Sequence, residues 1–204
     1  MSIPEWKNLR QTALLLKIDA QDIDVSVNLL NALIAAEDRR FNYHSGVDIR
    51  SLSRALWRIV FFQKIEGGST IAMQLVRVLT GNYQKTISRK LKEIVYAVCL
   101  TKIIGKNDLP KMYLLVAYFG WKMNGLKQAA IRLNFDPSNV CELKSSELIA
   151  RLKYPEPKNA NKERLEKIKV RSLHIQKCIY DSPKTSEKPY GTIQSPQRDC
   201  EHNQ

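Results

Sequence analysis

Apolar residues recur at helical spacing through most of the chain, and the segments they mark predict a mainly α protein. Between residues 22 and 40, Val27, Leu30 and Ile34 fall on one stripe, with Leu33 beside them. One further turn along that stripe stands Glu37. Arg50 to Phe62 predicts a second helix: Leu52, Leu56, Ile59 and Val60 form its apolar face, while Arg50, Arg54 and Arg58 repeat every four residues on another. Gly67-Gly68-Ser69-Thr70 breaks the pattern and opens a third helix, carried by Ile71, Leu75, Val78 and Leu79, with Ser69 or Thr70 as N-cap. A fourth covers roughly 86 to 104 through Ile87, Leu91, Ile94, Val95 and Val98. A fifth starts near Asp108, with Pro110 in its first turn, and reaches Tyr118. Ala129 to Leu133 and Ser146 to Leu152 predict shorter helices, Tyr154 to Pro157 a turn, and residues 160 to 179 a highly charged last helix. Strand signals are weak throughout.

Residues 1–21 read as an N-terminal extension whose one apolar patch, Ala13 to Leu16, is interrupted by Lys17. Residues 22–180 read as the folded domain, and 181–204, with Pro183, Pro189 and Pro196 and almost no apolar residues, as a disordered tail. No run reaches the length needed to span a bilayer and no secretory signal is visible, so the chain as written reads as soluble or peripheral. The formal charge of +13 points to an anionic partner: nucleic acid, an acidic membrane surface or a phosphorylated substrate. Cys99, Cys141, Cys178 and Cys200 show neither a CxxC pair nor zinc-finger spacing with His.

Three constellations could carry chemistry. Glu37-Asp38-Arg39-Arg40-Phe41, followed by His44-Ser45-Gly46, puts a carboxylate at the end of an apolar face; a general base must be partly desolvated yet reach substrate. The bland alternative is a helix terminus whose acids pair with Arg39 and Arg40. Gly67-Gly68-Ser69-Thr70, with Gln74 and Arg77 on the helix behind it, offers a close backbone approach and free N–H groups to an anion. No Lys follows the second glycine, which excludes a nucleotide-binding P-loop. Arg89, Lys90 and Glu93 share a helix face. They read either as a surface salt bridge or as a cationic clamp for a leaving diphosphate. The segment 50–62 adds Trp57, Phe61 and Phe62 to its basic amphipathic pattern, which suits a helix lying on an anionic membrane and equally a packed helix with a solvated basic face.

In order and separation these stretches resemble the peptidoglycan glycosyltransferase family, the transglycosylase domain of penicillin-binding proteins and of monofunctional transglycosylases (glycosyltransferase family 51). Glu37 to Gly46, Gly67 to Arg77, Arg89 to Glu93 and Tyr113 to Gly120 resemble its four successive motifs, and Gly125 to Ala130, Glu147 to Ala150 and Pro155 to Pro157 continue the pattern. The resemblance covers roughly residues 25 to 180. It implies a mainly α fold, a lysozyme-like head with a smaller membrane-contacting jaw at roughly 46–66. The implied reaction polymerises lipid II into β-1,4-linked glycan strands with inversion. Glu37 would be the general base and Glu93 would assist the diphosphate leaving group. Asp38, Ser69, Thr70, Gln74, Arg77, Arg89 and Lys90 would bind substrate and diphosphate, and Trp57, Phe61 and Phe62 would touch the membrane. A divalent cation, Mg2+ or Mn2+, is implied, with no organic cofactor. The implied partners are lipid II, the nascent strand, an anionic membrane surface and other cell-wall synthesis proteins, on the outer, periplasmic face of a bacterial cytoplasmic membrane.

The chain departs from the family at Ala72-Met73, where Thr-Gln is usual, at Arg77-Val78, where Lys-Asn is usual, and at Lys111 and Leu115, where an acid and an Asn stand. These changes imply a slow or specialised enzyme. The alternative function is a non-catalytic relative that binds lipid-linked precursor or cell-wall partners. A hydrolase on the same fold is a second rival. A nucleic-acid-binding protein is a third, with no recognised motif behind it.

Overall fold

The computed structural model describes residues 3–62, 67–159 and 161–181. The fold is mainly α, as expected. Nine α-helices among the described residues run in chain order as α1 (Ile3–Gln21), α2 (Val27–Glu37), α3 (Ile49–Phe62), α4 (Ile71–Thr80), α5 (Ile87–Ile104), α6 (Asp108–Val116), α7 (Leu126–Leu133), α8 (Glu142–Lys153) and α9 (Lys162–Tyr180). A small antiparallel hairpin, β1 (Tyr118–Gly120) with β2 (Met123–Asn124), lies between α6 and α7. Among the described residues no helix is long and apolar enough to cross a membrane.

Side-chain caps set the helix starts. Ser26 accepts from the Asn28 N–H, Thr70 from Met73, Thr86 from Arg89 and Asn161 from Arg164, each satisfying a donor that the first turn leaves without a partner. Asp48 does the same for α3, accepting from the N–H groups of Arg50 and Ser51. The burial of Asp48 favours its neutral form, but the Ser51 hydroxyl, these N–H groups and Arg40 outweigh it and hold its pKa below the usual carboxylate value.

The core forms where α2 packs on α8 and α9 while α4 packs on α5 and α6. Leu29, Leu33, Ile71, Leu75, Leu100 and Met112 are fully buried there. Gly46 lies so close to α5 that a Cβ would fall 2.4 Å from Thr101 Oγ1, and its φ of +97° favours glycine. That approach brings the loop after α2 against α5.

Residues 3–21, read from sequence as an extension outside the domain, form α1 and pack across α4, α5 and α6. Leu9 and Ala13 are buried, and Trp6 stacks on Tyr96. The Lys17 that interrupts the apolar patch has a use: its ammonium donates to the Ile104 carbonyl at the end of α5 and pairs with Asp108. A second correction concerns α5. The stripe that periodicity marks is covered along one side only: Ile94 and Val98 pack against the core beside the buried Tyr96, Ala97, Leu100 and Ile104, whereas Ile87, Leu91 and Val95 are exposed. Residues 182–204, expected as a disordered tail, lie outside the described residues, as do 63–66 of the jaw segment.

Truncating Leu9 to Ala should cost about 2–5 kcal/mol of stability, read from urea unfolding midpoints. An α1 that were a detachable appendage would leave the midpoint unchanged.

Candidate functional site

Glu37 is the last residue of α2, and the helix end delivers its carboxylate into a cavity of about 680 Å³. The cavity runs between α2, the loop before α4, α3 and α9, with Ser69, Thr70, Arg54, Arg58, Arg171 and His174 among its walls. Gln74, one turn into α4, donates its Nε2 to Glu37 Oε2 at 2.9 Å. The Gln74 carbonyl accepts from the Tyr113 hydroxyl at 2.7 Å. Burial, with Glu37 nearby, raises the Tyr113 pKa far above its usual value, so the phenol stays a donor. From the other side Arg171 reaches within 3.8 Å of Glu37 Oε1 while donating to the Ala36 carbonyl. Glu37 is thus held between an amide and a guanidinium.

Asp38 borders the same cavity, and its carboxyl oxygens are also engaged within the fold. Only 6% exposed, it pairs with His44 Nε2 at 2.9 Å and accepts from the Ile71 N–H at 3.1 Å. Thr70 is likewise structural: it caps α4 and donates its hydroxyl to the Gly46 carbonyl.

Glu93 is 3% exposed on α5 and gathers three cations. Arg77 approaches through Nε at 2.6 Å and Nη2 at 3.3 Å, Arg89 Nη1 lies at 2.8 Å, and Lys90 Nζ at 3.6 Å. Lys90 also donates to Ser69 Oγ at 2.6 Å, where Arg77 Nη2 reaches 3.4 Å, so the cluster opens toward the cavity through Ser69. Three positive charges and one negative leave a net excess of cation. Burial lowers the Lys90 pKa below its ordinary 10.5, Glu93 opposes the shift, and Arg77 and Arg89 add to it. Arg89 Nε is buried without a hydrogen-bond partner, a donor that an anion would satisfy. This donor set fits an anion. It does not fit a divalent cation held by the protein: the Glu93 oxygens are taken by cations, and no three His, Cys, Asp or Glu side chains converge among the described residues.

Trp57, Phe61 and Phe62 lie apart from these groups, exposed at the end of α3, with Trp57 and Phe61 in ring contact. Of the altered family positions, Arg77 belongs to the cation cluster itself, while four others are taken up by the core. Ala72 and Met73 are buried in the core, and Val78 and Leu115 pack against it.

Sequence reasoning missed the α9 wall. Arg171, His174 and Cys178 line the cavity at successive turns, beside the buried stripe of Ile168, Ser172 and Ile175. The one signal available was a basic residue bordering the covered face of a highly charged helix. Burial, followed by Arg171, Arg39, Lys153 and Lys177, lowers the His174 pKa.

Replacing Asp38 by Ala should destabilise the fold by about 1–3 kcal/mol for each partner left unsatisfied, read from urea unfolding at pH 7. Asp38→Asn, which keeps an acceptor for the Ile71 N–H, should recover part of that loss.

A family model described as Transglycosylase matches residues 10–178. Over 108 residues the chain is 39% identical to penicillin-binding protein 1F of Bacillus subtilis, an alignment covering 52% of this chain and 15% of that protein. It is 31% identical over 138 residues to a monofunctional glycosyltransferase of Staphylococcus saprophyticus, covering 64% and 51%. Against penicillin-binding protein 1A of Rickettsia prowazekii it is 29% identical over 165 residues, covering 78% and 21%. The chain therefore spans at most about half the length of these relatives. The matched region takes in every helix described above, from within α1 to the last turn of α9, and the chain belongs to the transglycosylase family.

Proposed function

We propose that the chain polymerises lipid-linked disaccharide units, lipid II, into β-1,4-linked glycan strands. The observation that carries this reading is the pairing of a clamped carboxylate, Glu37, with a cation-rich cluster opening at Ser69. A hydrolase has no comparable use for three cations beside its site.

Glu37 takes the proton from the acceptor's 4-hydroxyl, whose oxygen attacks the anomeric carbon of the donor. The bond from that carbon to the diphosphate breaks, the diphosphate leaves, and the configuration inverts. Arg77, Arg89 and Lys90 stabilise the charge that develops on the leaving group, and Ser69 orients it. Glu93 acts through these cations: with its oxygens in ion pairs, it sets where they stand and limits their mutual repulsion. Gln74 and Arg171 position Glu37. The reaction takes place at the outer face of the membrane, where exposed Trp57, Phe61 and Phe62 contact the lipid. Ala72, Met73, Val78 and Leu115 pack into or against the core, and Arg77 keeps a cation at the cluster where the family has lysine.

The test is polymerisation of purified lipid II in detergent by wild type, Glu37→Gln and Glu93→Gln. Wild type should yield glycan strands. Glu37→Gln should lower the rate at least about 10²–10⁴-fold, and Glu93→Gln by about 10², through a disordered cation cluster. Wild type that binds lipid II yet makes no strand would move the reading to a non-catalytic precursor-binding protein.

Diphosphate affinity should also fall as pH rises through the lowered pKa of Lys90, since the charged ammonium binds the anion. The alkaline limb of a Kd-versus-pH profile should therefore lie below that of an ordinary lysine. Lys90→Arg should move it upward, out of the measurable range.

A further inference from the structure

The ridge that the fold leaves uncovered on α5 has a chemistry of its own. Ile87, Leu91 and Val95 are 81, 58 and 47% exposed, and they follow one another at four-residue intervals, so their side chains stack into one row. Tyr83, also exposed, stands in the loop just before them. From Gly81 to Ile104 the one acidic residue is Glu93, buried beneath its three cations. Lys85 before the ridge and Lys102 beyond it are exposed, and Lys92 on the same helix pairs with Glu5. The result is a row of hydrocarbon bracketed by ammonium groups, with no exposed carboxylate on its helix.

The same helix carries half of the anion cluster. At 100° per residue, Lys90 lies about 60° around the helix axis from Ile87 and about 100° from Leu91. A ligand seated at Lys90 and Ser69 is therefore a near neighbour of the ridge.

We infer that this ridge is a bilayer contact: Tyr83, Ile87, Leu91 and Val95 enter the interface of an anionic membrane, and Lys85 and Lys102 meet headgroup phosphates. Apolar side chains flanked by lysines, with a tyrosine at one end, suit the boundary between acyl chains and headgroups. A second copy of this chain fits the ridge poorly, because it would set lysines against lysines. The contact also explains why the anion cluster lies beside exposed hydrocarbon. A diphosphate tethered to a lipid stays at headgroup depth, and α5 lying on the surface brings Arg89 and Lys90 to that depth. This last point rests on the proposed function; the membrane contact does not. It is separate from the aromatic end of α3.

The test is co-sedimentation of the full chain with vesicles of equal phosphatidylglycerol and phosphatidylcholine. Ile87→Ser/Leu91→Ser should lower the partition coefficient at least about tenfold, with an unchanged circular dichroism melt. Lys85→Glu/Lys102→Glu should abolish the preference over vesicles of pure phosphatidylcholine. The proposal is overturned if wild type ignores the vesicles, if the serine variant partitions as wild type does, or if that variant dissociates a dimer and leaves vesicle binding intact. Polymerisation of detergent-solubilised lipid II, run beside it, separates the two readings. A serine variant that still polymerises there but has lost the vesicles supports both. A wild type that binds vesicles through the ridge yet never polymerises removes the proposed function alone.

Discussion

The carboxylate of Asp38 joins the end of α2, the loop that follows it and the start of α4. A buried carboxyl group needs hydrogen-bond partners, and here they come from distant points of the chain: His44 on one oxygen and the Ile71 N–H on the other. The Ile71 N–H is among the donors that the first turn of a helix leaves unsatisfied, at the end where its dipole favours negative charge. Thr70 adds a second tie by capping α4 and bonding the Gly46 carbonyl. Together these bonds fix α4 relative to α2. Without that relation Gln74 would not meet Glu37, and Ser69 would not stand at the edge of the cavity.

The second constraint is electrostatic. Three cations brought together from α4 and α5 would repel one another strongly in a partly desolvated site, and the buried Glu93 is what holds them. Arginine at position 77, where the family has lysine, suits this arrangement. Its planar fork engages Glu93 through Nε and Nη2 and still touches Ser69, which a single ammonium could not do in the same geometry.

How much of this was legible from the residues varies with the range of the interaction. The apolar stripe of α2 ends where the helix ends, so local periodicity alone placed Glu37 at a terminus. Thr70 was one of two N-cap candidates, because capping is a matter of the next three residues. Glu93 was not legible as buried: its spacing from Arg89 and Lys90 reads the same on a solvated face, and the deciding contact is with Arg77 from another helix. On α5 the period was right and the face partly so, since Ile94 and Val98 pack against the core while Ile87, Leu91 and Val95 stay exposed. Periodicity reveals an apolar side but not whether a neighbour covers it, and α1, α4 and α6 cover only part of this one. The helix α1 went unread because its burial is sparse, through Leu9, Ala13 and Ala20, and Lys17 looks like an interruption unless the carbonyl of Ile104 is known to await it. Arg171, His174 and Cys178 belong to no motif and join the cavity only because α9 folds back on α2.

The Tyr113–Gln74–Glu37 chain has a directional consequence. The Tyr113 hydroxyl donates to the Gln74 amide oxygen, and the amide N–H₂ is left to donate to Glu37. Rotating the amide by half a turn would set its oxygen against the Glu37 oxygen, acceptor against acceptor. Oε2 of Glu37 therefore accepts from Gln74, while Oε1 faces the Arg171 guanidinium. The two oxygens of one side chain are made inequivalent by a hydroxyl that never touches them.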